Sequence, residues 1–165
     1  MEADEYDRSF LTLTPEIALI TSMDPDHLEI YGDHKSMISA YNEFAGRVKR
    51  GGKLLVNSNI RHLVRDMEGI KIFTYGTDRS CDFYLSGSTT KDDITSFSVV
   101  TPSGEINDLS WNIPGTLNLV NAVAAISLAT IAGVKPDEIR KSIMLFQGVA
   151  RRFDIRYSDN HTIYI

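Results

Sequence analysis

The sequence of 165 residues contains a single cysteine, Cys81. One thiol cannot close a disulfide within the chain. The disulfide-stapled secreted scaffolds are therefore excluded, and a reducing, cytoplasmic setting is expected. A buried, idle thiol is the ordinary reading of such a residue, set against a nucleophile. No apolar run approaches the ~20 residues of a membrane-spanning helix, and no early apolar stretch has the form of a secretion signal. Positive charge is also scarce. Seventeen lysines and arginines face 22 acids, the net charge is −5, and no basic run stands out. That balance argues against a nucleic-acid surface built on phosphate neutralisation, but it leaves room for a small anion held by a few placed donors. Several motifs are missing too. There is no CxxC, no HExxH and no GxSxG. Gly51-Gly52-Lys53-Leu54 lacks the spaced first glycine and the Ser/Thr after lysine that a phosphate-binding loop needs.

What is present suits one domain of ordinary size: 42% of residues are hydrophobic and 24% charged, enough for one core. The acidic start, MEADE, and the apolar finish, TIYI, read as cuts within a longer protein. Residues 17–21, IALIT, form a short continuous apolar run, the pattern of a strand covered on both faces. Met37, Tyr41, Phe44 and Val48 recur at helical spacing, with Gly51-Gly52 as the stop. Residues 53–57 read as a second buried strand and 60–67 as a short helix. Strand, helix and strand with tight connections predict a mostly parallel sheet flanked by helices.

The middle of the chain changes character. Residues 70–75, 82–85 and 95–101 are short strand candidates, with a hairpin at Ser103-Gly104-Glu105, so an antiparallel ribbon or a smaller second sheet is expected. The last third is helical. Thr116 is read as the N-cap of a helix over 117–131 whose stripe is Leu119, Val123 and Ile126. Gly133 ends it. Pro136, with Asp137-Glu138, opens another helix carrying Ile139, Ile143 and Phe146. Residues 153–155 and 162–165 are read as two final strands.

Four groups carry candidate chemistry. In MDPDHLEIYG, residues 23–32, His27 follows a buried strand, which is where open α/β sheets bind ligands. An imidazole beside a carboxylate can hold a divalent cation, or simply be a satisfied turn histidine. The carboxylates of residues 2–7 suit Mg²⁺, or form a solvated acidic stretch. Asn118 and Asn121 share a helix face; their amides can donate and accept at an adenine edge, or lie idle in solvent. Arg151-Arg152 offers guanidinium forks suited to phosphate, or surface charge.

Taken together, these blocks resemble a family. Glu2-Ala3-Asp4-Glu5-Tyr6-Asp7 with Ser9-Phe10, Asp24-Pro25-Asp26-His27-Leu28 with Tyr31-Gly32, Pro114-Gly115 with Asn118-Leu119-Val120-Asn121-Ala122, and Gly148-Val149-Ala150-Arg151-Arg152-Phe153-Asp154 look like the Mur ligases. The blocks stand in family order and span nearly the whole chain. The resemblance implies a P-loop NTPase-like α/β domain lacking its N-terminal part, so that residues 1–165 are a partial central, ATP-binding domain without the UDP-binding and C-terminal domains. It also implies ATP and Mg²⁺ as cofactors and peptidoglycan precursor synthesis as the setting. The EADE-x-D and RRFD forms look most like the branch that joins L-alanine to UDP-N-acetylmuramate through an acyl phosphate. The branch that attaches a recycled tripeptide, and a non-catalytic binding domain, are the alternatives. Glu2 matches the family's Mg²⁺-binding glutamate, His27 its ligand for a second Mg²⁺, Asn118 and Asn121 its adenine-facing pair, and Arg152 its phosphate-contacting arginine. Leu117 departs from the family's usual histidine. Residues 39–43 lack the lysine that many relatives carbamylate, as the alanine-adding branch also does.

Overall fold

The computed structural model describes residues 3–149 and the backbone of two short strands near the C-terminus. Strands β1 (Ile17–Ile20), β2 (Lys53–Asn57) and β3 (Lys71–Gly76) pair in parallel, with Ile17 opposite Lys53 and Lys53 opposite Lys71. Strand β4 (Phe83–Lys91) continues the parallel order, and β5 (Ile94–Thr101) and β6 (Gly104–Trp111) add as antiparallel neighbours. All six form one sheet in the order β1-β2-β3-β4-β5-β6. The expected antiparallel ribbon is present, but it extends the main sheet and is not a second one.

The period-2 alternation of side chains builds two apolar layers from one sheet. In β2, Leu54 and Val56 face one side and Leu55 the other, all fully buried. The first side is covered by α1 (Leu28–Tyr31) and α2 (His34–Gly46), through Tyr31, Met37, Ala40 and Phe44. The second is covered by α3 (Thr116–Ile131) and α4 (Pro136–Leu145), through Leu119, Val123, Ile126 and Ile139. Each such large side chain contributes about 1.5–3 kcal/mol by leaving water. Ala122 and Ala124, both buried, let α3 approach the sheet closely.

Several boundaries differ from the sequence reading. Helix α2 ends at Gly46, before Gly51-Gly52; Asp33 caps its start by accepting from Ser36 N at 2.7 Å. The glycine pair instead serves the entry to β2. A Cβ on Gly52 would lie 2.6 Å from the Glu16 carbonyl oxygen and 2.7 Å from that of Lys49, so only glycine fits there. The helix expected over 60–67 is a 3-10 segment, Ser58–Leu63. The cap of α3 is Gly115, at φ 100°, and Thr116 is its first helical residue. Phe146 lies beyond the end of α4 and is exposed. Strands β7 (Tyr157–Ser158) and β8 (Ile163–Tyr164) pair antiparallel near the expected C-terminal strands; residues 153–155 lie outside the described residues.

Candidate functional site

Sheet topology decides which residues can meet. Strands β1 to β4 run the same way, β5 reverses and β6 restores the direction. The C-terminal end of β6 therefore points the same way as that of β1. Strand β4 joins β3 only at Tyr75↔Phe83 and Gly76↔Tyr84, so the ribbon starts where β3 ends and rises beyond it. Helix α3 then runs back across the sheet. Its last turn lies at the opposite edge, where Lys53 Nζ donates to the Ile131 carbonyl at 3.3 Å. At 16 residues α3 is about 24 Å long, longer than the five-residue β2, so its first turn projects past the C-terminal edge. The loop after β1 and the first turns of α3 thus serve the same edge of the sheet, the one where open α/β sheets hold ligands.

His27 stands in the loop after β1. Its backbone is left-handed (φ 52°, ψ 36°), unusual for a side chain with a Cβ, and its amide is taken by Asp26 Oδ1 at 2.8 Å. The imidazole is about 30% exposed and ringed by carboxylates: Glu5 Oε1 is 3.9 Å from Nε2, and Asp26 Oδ1 and Glu29 Oε1 are each 3.7 Å from Nδ1. None of these is a hydrogen-bond distance. The Tyr6 ring meets the imidazole edge-on at 5.1 Å. His34 contrasts with it: its Nε2 lies 2.8 Å from the Met23 carbonyl, a structural contact that fastens α2 to the same loop.

A divalent cation is tested here by donor chemistry. Two ligands of one Mg²⁺, each at about 2.0–2.1 Å, stand roughly 3–4 Å apart, and the Glu5–His27 pair has that spacing. Among the described residues no group of three or more His, Cys, Asp or Glu side chains is placed to hold a metal ion. Mg²⁺ ordinarily takes one or two protein oxygens and completes its shell with water and phosphate, so a two-donor site fits.

The second feature is a cleft of about 310 Å³ between β6, α3 and α4. Trp111, Ile113, Ile143 and Phe146 supply apolar walls, Ala122 and Ala125 a small-residue floor, and Asn118 and Asn121 the polar groups. A mostly apolar cleft with a few amides suits a flat heteroaromatic ring. The two asparagines differ. Asn118 Nδ2 donates to the Pro114 carbonyl at 2.6 Å and so fastens the loop before α3. Asn121 is exposed and lines the same cleft. Leu117, 81% exposed, is not among the lining residues.

The asparagine pair is thus brought together, and His27 sits apart from that cleft on the other layer. Glu2 and Arg152 lie outside the described residues. Sequence reasoning placed Glu5 in the acidic stretch of residues 2–7 without singling it out as the carboxylate that faces His27 Nε2, and it missed the aromatic walls of the cleft. The only tryptophan in the chain, three residues before Pro114-Gly115, was a signal for the latter. Cys81 is buried, as expected.

The model of one protein family, the Mur ligase middle domain, matches residues 1–129. The chain belongs to the Mur ligase family. UDP-N-acetylmuramate–L-alanine ligase of Parabacteroides distasonis is 38% identical over 165 residues, the whole of this chain and 36% of that relative. This Mur ligase chain therefore spans about a third of the length of the curated relatives it matches. Among solved structures, UDP-N-acetylmuramate-alanine ligase MurC from Thermotoga maritima superposes with a TM-score of 0.77 at 24% identity, over 96% of this chain and 35% of that one. An FPGS–AMPPCP complex gives 0.65 at 20% identity, over 84% of this chain and 36% of the other. Both likenesses establish the Mur ligase fold.

Proposed function

We propose that residues 1–165 are the nucleotide-binding middle domain of a longer ATP-dependent ligase that joins L-alanine to UDP-N-acetylmuramate in peptidoglycan precursor synthesis, in the cytoplasm. The observation that carries this reading is the 38% identity, along the entire chain, to a relative of that name. The cleft at α3 supports it, because its walls and amides suit adenine. Asn121 would read the base edge by donating and accepting. Asn118 would shape the cleft while its amide stays on Pro114. His27, with Glu5 and Glu2, would hold Mg²⁺, and Arg152 would meet phosphate charge.

The reaction class fits these roles. A carboxylate is phosphorylated by ATP, the amine of alanine attacks the acyl phosphate, and phosphate leaves. Bound Mg²⁺ supplies screening of phosphate and carboxylate charge. The chain's own residues hold and orient and carry no proton. His27 keeps its ring at the mouth of the sheet edge, between Tyr6 and the acidic loop.

The test uses the full-length protein that carries this chain. Phosphate release is measured with ATP, UDP-N-acetylmuramate and either L-alanine or a stem tripeptide. Turnover with alanine is expected. Turnover with the tripeptide alone would move the protein to the recycling branch. Absence of both, in a folded protein that binds no ATP, would leave a non-catalytic domain. His27→Ala is expected to lower turnover at least about 100-fold, in line with loss of a metal ligand or its support.

A further inference from the structure

The acidic segment that faces His27 has no strand or long helix of its own to hold it. Its backbone is instead tied to α1. Tyr31, 5% exposed, sends its hydroxyl 26 residues back along the chain to donate to the Glu5 carbonyl at 2.5 Å. Arg8 lies over the face of the same ring, 4.9 Å from its centroid, and its Nη2 donates to the Ile30 carbonyl at 3.4 Å. Between these two ties sits Tyr6, whose ring meets His27 edge-on. The Glu5 side chain emerges from the residue whose carbonyl Tyr31 holds, and its carboxylate stands 3.9 Å from His27 Nε2. A phenol, with an ordinary pKa of about 10, keeps its proton at neutral pH and can donate this bond.

We propose that Tyr31 is a positioning residue: its bond to the Glu5 carbonyl holds the Glu5 carboxylate and the Tyr6 ring against His27, and so sets the cation affinity of that pair. The inference rests on the cation reading of His27 given above. Glu5 is the oxygen donor it serves. The Arg8 stack keeps the Tyr31 ring in place, so the hydroxyl and the ring can be tested separately.

Tyr31→Phe removes the hydroxyl and keeps the buried ring and the stack; Tyr31→Leu removes both. Two measurements are made on each. Hydrogen exchange reads the amides of Arg8 and Phe10, which donate to the Glu5 and Asp4 carbonyls, with the α3 amides as the reference for global stability. Titration of Mn²⁺, alone and with AMPPCP, reads cation affinity in the full-length protein by electron paramagnetic resonance. Tyr31→Phe is expected to speed exchange at Arg8 and Phe10 while leaving α3 protected, and to weaken Mn²⁺ binding by about tenfold, the usual cost of losing support behind a ligand. A simple packing role would loosen α3 as well or leave Mn²⁺ affinity unchanged, and either result overturns the proposal. Wild-type protein that binds Mn²⁺ no better than His27→Ala defeats the cation reading itself. Normal binding with unaltered exchange in Tyr31→Phe defeats the Tyr31 tie alone.

Discussion

Gly51 and Gly52 are adjacent and both precede β2, but substitution at the two should cost very different amounts. Gly51 sits at φ +83° with open space around the position of a Cβ. Gly51→Ala therefore meets only left-handed strain, about 1–2 kcal/mol. Gly52 has no such angle, yet its Cβ would fall 2.6 Å from the Glu16 carbonyl oxygen, 2.7 Å from that of Lys49 and 2.7 Å from Val48 Cγ1. Neither carbonyl can step aside freely. Glu16 O accepts from Lys53 N at 2.9 Å, fixing the start of the β1–β2 pairing, and Lys49 O accepts from Gly52 N at 2.7 Å. Weakening both bonds costs about 1–3 kcal/mol, and forcing the methyl into a packed site costs about 1–3 more. Gly52→Ala should thus lose near 4 kcal/mol, a large part of the 5–15 kcal/mol that holds a typical domain. In urea denaturation, with a slope near 2 kcal/mol/M, the midpoint should fall by about 2 M for Gly52→Ala and by less than about 1 M for Gly51→Ala. Equal shifts, or a harmless Gly52→Ala, would refute the assignment of one glycine to strain and the other to close approach.

Other substitutions separate structure from function in the same way. Asn118→Ala frees the Pro114 carbonyl and should lower the melting temperature by a few degrees, whereas Asn121→Ala should leave melting unchanged and weaken ATP binding by about tenfold in calorimetric titration. His27→Asn puts a residue that tolerates the left-handed region at φ 52°, so melting should stay level or rise while turnover of the full-length protein falls. Asp92 and Asp93 form the β4–β5 turn at φ 50° and 62°; Asn-Gly in their place should raise the melting temperature by about 2–4 °C. Asp33 has its carboxyl held below the ordinary aspartate value of 3.8, chiefly by the bond from Ser36 N. A depressed folded pKa gives stability that is present above about 3.8 and lost as pH falls through the folded value. Melting measured from pH 6 down to pH 2 should therefore drop less steeply for Asp33→Asn than for the wild type.

Periodic apolar patterns carried the fold, and contacts between distant segments are where they failed. The stripe Met37, Tyr41, Phe44 and Val48 named α2, although Val48 falls two residues past its end, and the buried run of 53–57 named β2 to the residue. The helix expected over 60–67 fails because of a residue 21 positions before Leu63. Asn42, 7% exposed on α2, donates to the Leu63 carbonyl and accepts from Arg65 N, which holds the chain extended there. No local pattern could announce that. Strand β4 runs past Leu85 to Lys91 because an Asp-Asp turn, lacking the usual glycine, closes the hairpin. His27 and the asparagine pair were legible as residue types in context. Glu5 was legible only as one of several carboxylates in residues 2–7, because its approach to His27 is a contact across 22 residues that no local pattern announces.

The count of strands in the ribbon has a consequence for the site. A chain leaving β4 at the far end must choose which edge of the sheet it returns from. One reversal, through β5 alone, would start α3 at the N-terminal edge, beside Lys53 and away from the loop that carries His27. The second reversal, through β6, brings the chain back to the direction of β1 before Pro114-Gly115 turns it into α3. The apolar face of α3 then dictates the rest. Leu119, Val123 and Ile126 must cover Leu55, Tyr75 and Val99, so the helix lies along the sheet and its surplus length projects at the C-terminal edge. Asn118 lies in that first turn and Asn121 follows one turn further along. Packing alone therefore explains why two polar groups nearly a hundred residues from His27 in sequence serve the same edge, and why the ribbon needs three strands.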